Sequence, residues 1–105
     1  MFTTARARAD LQTVLETVLG SDEVHFQPPT NIILTYPCIV YKRDDARTQF
    51  ADNIPFRVKK RYQVTVIDRD PDSVIPDKVA QLESSVFERH YTANDLNHDV
   101  YTLFF

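Results

Sequence analysis

The chain has one glycine, one cysteine and no tryptophan among 105 residues. With Gly20 alone, a glycine-rich phosphate loop is excluded, because such loops need several backbone positions free of a Cβ. Turns must instead be made by Pro, Asn and Asp, through a fixed φ or a side chain that bonds its neighbours. The candidates are 28–29, 44–45, 52–53, 68–72 and 94–97. One cysteine, Cys38, excludes an intrachain disulfide and makes a reducing compartment the simple expectation. Basic excess is also missing: 12 Lys and Arg face 15 Asp and Glu, for a net charge of -3. That balance argues against a protein whose main task is to coat nucleic acid. No long apolar run is present, and Met1-Phe2-Thr3-Thr4-Ala5-Arg6-Ala7-Arg8 turns charged at once. Neither a signal peptide nor a membrane span is expected, which predicts a soluble chain. A hydrophobic fraction of 43% over this length suits one domain around one core.

What is present is strongly patterned. Leu11, Val14, Leu15, Val18 and Leu19 recur at the spacing of a helix that buries one stripe, which Ala7 extends. Thr3 or Thr4 is the expected cap, and Gly20 the left-handed terminator. Short β-branched and aromatic runs at 24–27 and 38–42 and a long one at 56–67 predict strands. Tyr36-Pro37 should stand at the start of the second or on an exposed edge, since proline cannot donate to a ladder. In the long run, residues 57–61 are charged, whereas Tyr62, Val64 and Val66 alternate with Gln63 and Thr65 as in a half-buried strand. At roughly 3.3 Å per residue it reaches about 40 Å, so its charged half is expected to project as one arm of a long hairpin with 43–53 as the tip. A second helix is predicted over 73–84, with Ile75, Val79, Leu82 and Val86 inward and Pro76 in its first turn. Strands at 86–91 and 99–105 complete an α+β fold of order α-β-β-β-α-β-β, a mostly antiparallel sheet with two helices on one face.

Candidate chemistry is sparse. A Cys38 nucleophile would need His25, His90 or His98 as base, but the apolar string Cys38-Ile39-Val40 favours a buried, inert thiol. The same four residues lack the close pairing of a zinc site. Asp68-x-Asp70-x-Asp72 opens like a calcium loop. However, Ser73 and Val79 stand where glycine and glutamate are required, so a turn capped by Asp72 or Ser73 is the better reading. Lys59-Lys60-Arg61, with Arg57 and Tyr62, is the one basic cluster, and strand alternation would split it between two faces. No catalytic set, metal or cofactor is indicated, and function through subunit assembly is expected.

Several strings resemble the tail completion or tail terminator family of long-tailed bacteriophages. They are Phe26-Gln27-Pro28-Pro29, Tyr36-Pro37-Cys38-Ile39-Val40-Tyr41, Ala51-Asp52-Asn53, the run from Arg61 through Ser73, and Arg89-His90-Tyr91 through His98. The resemblance implies a virion protein of the neck: a ring, usually of six copies, that caps the tail tube, halts its polymerisation and joins tail to head. Its partners would be further copies of itself, the tail tube protein and the head connector, with DNA passing through unbound. Exposure places the expected contacts at Arg43, Asp44, Asp45, Arg47, Phe50, Asp52, Arg57, Lys59 and Arg61, and at Arg6 and Arg8. A head completion or adaptor subunit, a small nucleic-acid-binding module using residues 57–62, and a Cys38-dependent enzyme are the alternatives.

Overall fold

The structure, a computed structural model, describes residues 7–51 and 54–105, and all their side chains except those of residues 47, 49–51 and 54–58. Arg6, Asp52 and the expected caps Thr3 and Thr4 lie outside the described residues.

Helix α1 (Arg8–Leu19) buries Leu11 and Leu15 completely, with Val14, Val18 and Leu19 packed beside them. Its N-cap is Ala7, an exposed residue with no side-chain oxygen to accept a backbone N–H, so Ala7 does not extend the buried stripe. At the other end Gly20 takes φ 82° and returns its N–H to the Glu16 carbonyl at 2.8 Å, the expected left-handed stop.

Five strands form one sheet: β1 (Val24–Phe26), β2 (Cys38–Ala51), β3 (Ile54–Asp68), β4 (Ser85–Ala93) and β5 (Leu96–Phe104), in the order β1-β2-β3-β5-β4. Only β1 and β2 run parallel; the other neighbours are antiparallel. The Tyr36-Pro37 bond is cis, and Pro37 immediately precedes β2, where its missing donor is harmless. The expected tip at 43–53 is corrected: β2 continues through Ala51, because an irregularity between Arg43 and Asp45 takes up one extra residue and lets the ladder resume. β4 and β5 are joined through Asn94 and Asp95, both left-handed at φ 54° and 61°, as a two-residue hairpin turn requires.

Helix α2 (Ile75–Ala80) is half the predicted length. Its last N–H groups tighten to three-residue bonds, Gln81 to Lys78 and Leu82 to Val79, and Ser84 at φ 62° swings the chain into β4. Val86 therefore lies on a strand, 60% exposed, and not on the buried face of a helix. Pro76 does fall in the first turn, as expected.

Alternation sets the core. Ile39 and Tyr41, then Tyr62, Val64 and Val66, then Tyr101 and Leu103 share one sheet face and cluster with Leu11 and Leu15 of α1 and Ile75 and Val79 of α2. Both helices thus cover the same face. Each fully buried aliphatic side chain contributes about 1.5–3 kcal/mol by leaving water. Cys38, Ile67 and Val100 are also buried, but their registers place them on the opposite face, outside that cluster.

Candidate assembly surface

Two regions of the sheet present ordered side-chain groups to solvent. The first is the bulge in β2. Tyr62 faces Arg43 and Arg61 faces Asp45, so Asp44 is the extra residue, and a bulge turns two successive side chains toward one partner. Arg61 accordingly reaches both carboxylates, Nε to Asp44 Oδ1 at 2.9 Å and a terminal nitrogen to Asp45 Oδ2 at 3.6 Å. The hydrogen bond to Asp44 holds the Arg61 guanidinium above its ordinary value, with Asp44, Asp45 and Glu88 adding by charge. All three side chains remain partly in water, so the group orients charge more than it stabilises the fold.

The second is β4, an edge strand. Every residue of it except Ser85 is exposed, and among the described residues β5 is its only neighbour in the sheet. One row of its backbone N–H and C=O groups is consequently open to pairing. Val86, Phe87 and Tyr91 are 60%, 54% and 41% exposed, yet the aromatic rings are held in place. Phe87 meets Tyr101 edge-on at 5.5 Å, and Tyr91 stacks on His98 at 4.5 Å with Arg89 over its ring. The Thr102 hydroxyl donates to Glu88 at 3.2 Å and His90 Nδ1 lies 2.8 Å from Asp99. An open row of this kind is what an adding strand would need, although an irregularity between Phe87 and Arg89 interrupts the ladder there.

The residues singled out from the sequence fall into three groups. Arg61, Asp44 and Asp45 come together at the bulge. Arg8, the first residue of α1, sits apart from them over the Phe26 ring at 4.5 Å and donates to the Tyr41 hydroxyl at 3.1 Å, while Arg43 is exposed on β2. Arg47, Phe50 and Arg57 lie on the paired backbones of β2 and β3, with Arg47 opposite a half-buried Lys59. The β4 edge was missed. Its signal was there, since Glu88-Arg89-His90 places polar side chains at consecutive positions, which a strand can do only if both its faces meet water.

The remaining chemistry resolves into structure. Cys38 is fully buried, and burial, with Glu23 and Asp68 adding, pushes its thiol up to about 11. At neutral pH it is a thiol and not a thiolate. In the acidic turn, Asp68 Oδ1 accepts from the Asp70 N–H and Asp70 Oδ1 from the Asp72 N–H, while Ser73 Oγ accepts from the Ile75 N–H. These bonds chain the turn into α2 as expected, but the N-cap is Val74, with no side-chain cap bond, and not Asp72 or Ser73, because the helix begins only at Ile75. Among the described residues no group of three or more His, Cys, Asp or Glu is placed to hold a metal ion. Nor is any helix among them long and apolar enough to cross a membrane. No protein-family model matches the chain, and no curated protein matches it.

Proposed function

We propose that this chain is a structural subunit of a bacteriophage neck, assembling into a ring that caps the tail tube, stops its growth and joins the tail to the head. The observation that supports the reading best is the β4 edge, eight exposed residues in a row that include Val86 and the packed rings of Phe87 and Tyr91. Ring closure requires a heterologous contact, one surface of each copy against a different surface of the next. The outer halves of β2 and β3 would supply the second surface, with the bulged Arg61, Asp44 and Asp45 group at their base, where Arg61 still pairs with Phe104 of β5. At 15 residues, β3 spans about 50 Å, long enough for its outer half to serve as an arm. Six copies is the number the family resemblance implies. A net charge of -3 suits a channel through which DNA slides without being held.

The test is negative-stain microscopy with native mass measurement, with and without tail tube protein. Rings, or rings that form on tube ends, are expected. A monomer that leaves tube polymerisation unchanged overturns the reading. A head completion or adaptor subunit would form its ring on the head connector instead, so adding each partner separately distinguishes the two.

A further inference from the structure

Away from the β4 edge, the mouth of the helix-covered face holds a cavity of about 320 Å³ lined by Arg8, Phe26, Gln27, Arg43, Lys60 and Tyr62. Three cations come to it from three different elements: the first turn of α1, β2 and β3. No carboxylate lines it, and among the described residues none forms an ion pair with Arg8, Arg43 or Lys60. In a chain with more acidic than basic residues, three positive charges thus share one hollow, Arg8 and Arg43 exposed and Lys60 half-buried, and an anion entering it would relieve their mutual repulsion. This contrasts with Arg61, one residue along β3 and on the other face, which has two carboxylates of its own.

The Arg8 cation is held in advance of any ligand, and backbone hydrogen bonds fix the strand positions that carry Arg43 and Lys60. Arg8 is stacked on Phe26 and donates to Tyr41, whose own hydroxyl donates to Gln12 Oε1 at 2.6 Å, while Gln12 Nε2 donates to the Val24 carbonyl at 2.9 Å. The Gln27 side-chain oxygen accepts the Arg43 N–H at 3.3 Å and prolongs the ladder just past the end of β1. Lys60 exchanges both backbone hydrogen bonds with Phe105, at 3.2 and 2.9 Å. Arg43 and Arg8 both act electrostatically on the Tyr62 hydroxyl, although burial outweighs them and leaves that group raised. The first N–H groups of α1, unserved by a side-chain cap, add partial positive charge at the same end.

We propose that this cavity binds a phosphate group, held by the guanidinium groups of Arg8 and Arg43 and the ammonium of Lys60. The ligand class follows from the donors: an anion with several tetrahedral oxygens, doubly charged as free phosphate and singly charged in a nucleic-acid backbone, matches three cations from separate elements and accepts the guanidinium fork in pairs. The rings present are already used, Phe26 beneath Arg8 and Tyr62 buried, so the site recognises the phosphate and not a base. The phosphate could come free in solution or from a nucleic-acid backbone, and the site is independent of ring assembly.

Isothermal titration of the full chain with inorganic phosphate at low salt should give saturable binding at one site. Arg43→Gln together with Lys60→Gln should weaken it by about tenfold or more, as loss of charge-assisted bonds does. Arg69→Gln together with Lys78→Gln, an equal charge change outside the cavity, should leave it unchanged. Arg43→Gln alone, at an exposed position, gives a reading if the double variant fails to fold. Absence of saturation, or equal loss in the control pair, overturns the proposal. Anisotropy of a labelled DNA duplex separates the sources: binding lost in the cavity variants assigns the phosphate to a nucleic-acid backbone, and phosphate binding without duplex binding assigns it to the free ion.

Discussion

Raising the pH should unfold this protein through a single buried thiol. Cys38 ionises near 11 in the folded chain against a reference value of 9.0, because burial and the nearby Glu23 and Asp68 disfavour the thiolate. Between those two values the unfolded chain has released its proton and the folded chain has not. Stability therefore falls as pH rises, since the unfolded state binds fewer protons. The contribution is intact below pH 9 and is lost progressively up to 11. Two units correspond to about 3 kcal/mol, a large share of the stability of a domain this size. Tyr62 and Tyr101, both raised by burial, steepen the same decline at its upper end. The perturbation that isolates the thiol is Cys38→Ala, compared with the parent chain in urea titrations at pH 7, 8.5, 9.5 and 10.5. The variant will be less stable at pH 7, because it leaves a small cavity. Its decline with pH should nonetheless be shallower by about 2 kcal/mol by pH 10.5, the rest of the difference falling at higher pH. Parallel declines in the two proteins would refute the reasoning, and so would rapid labelling of the native thiol at neutral pH.

Three further outcomes follow from local geometry. Leu15→Ala removes a fully buried side chain that packs α1 on the sheet, and should cost about 2–5 kcal/mol by chemical denaturation. Gly20→Ala should cost about 1 kcal/mol, purely from the backbone, since φ is 82° and a new Cβ would meet nothing within 4 Å; Gly20→Asn, which tolerates that conformation, should cost less. Tyr41→Phe removes a hydroxyl that serves Arg8 and Gln12 together, and should lower stability by about 1–2 kcal/mol, with a smaller loss if Gln12→Ala has already been made, because only the bond from Arg8 is then left to remove.

Local chemistry decided much of this molecule in advance. The spacing of Leu11, Leu15 and their neighbours determines α1, because only a helix brings those positions into one stripe. Gly20 ends it, Asn94-Asp95 can supply the two left-handed residues of a tight hairpin, and Tyr62, Val64 and Val66 alternate because one face of β3 is buried. The order of elements and the α+β class follow from such signals. Where α2 stops was not legible, since Gln81 to Ser84 suit a helix as well as a turn and the competition is settled by β4 pairing with β5. The continuation of β2 past Asp44-Asp45 was hidden likewise, because a bulge depends on the partner strand and not on the residues it displaces. Only the tertiary structure could decide that the last strand slips between β3 and β4, leaving β4 as an edge with its apolar side chains exposed. It alone gathers Arg8, Arg43 and Lys60, far apart along the chain, around one cavity. Convergence of that kind is a property of three-dimensional packing, and no spacing along the sequence records it.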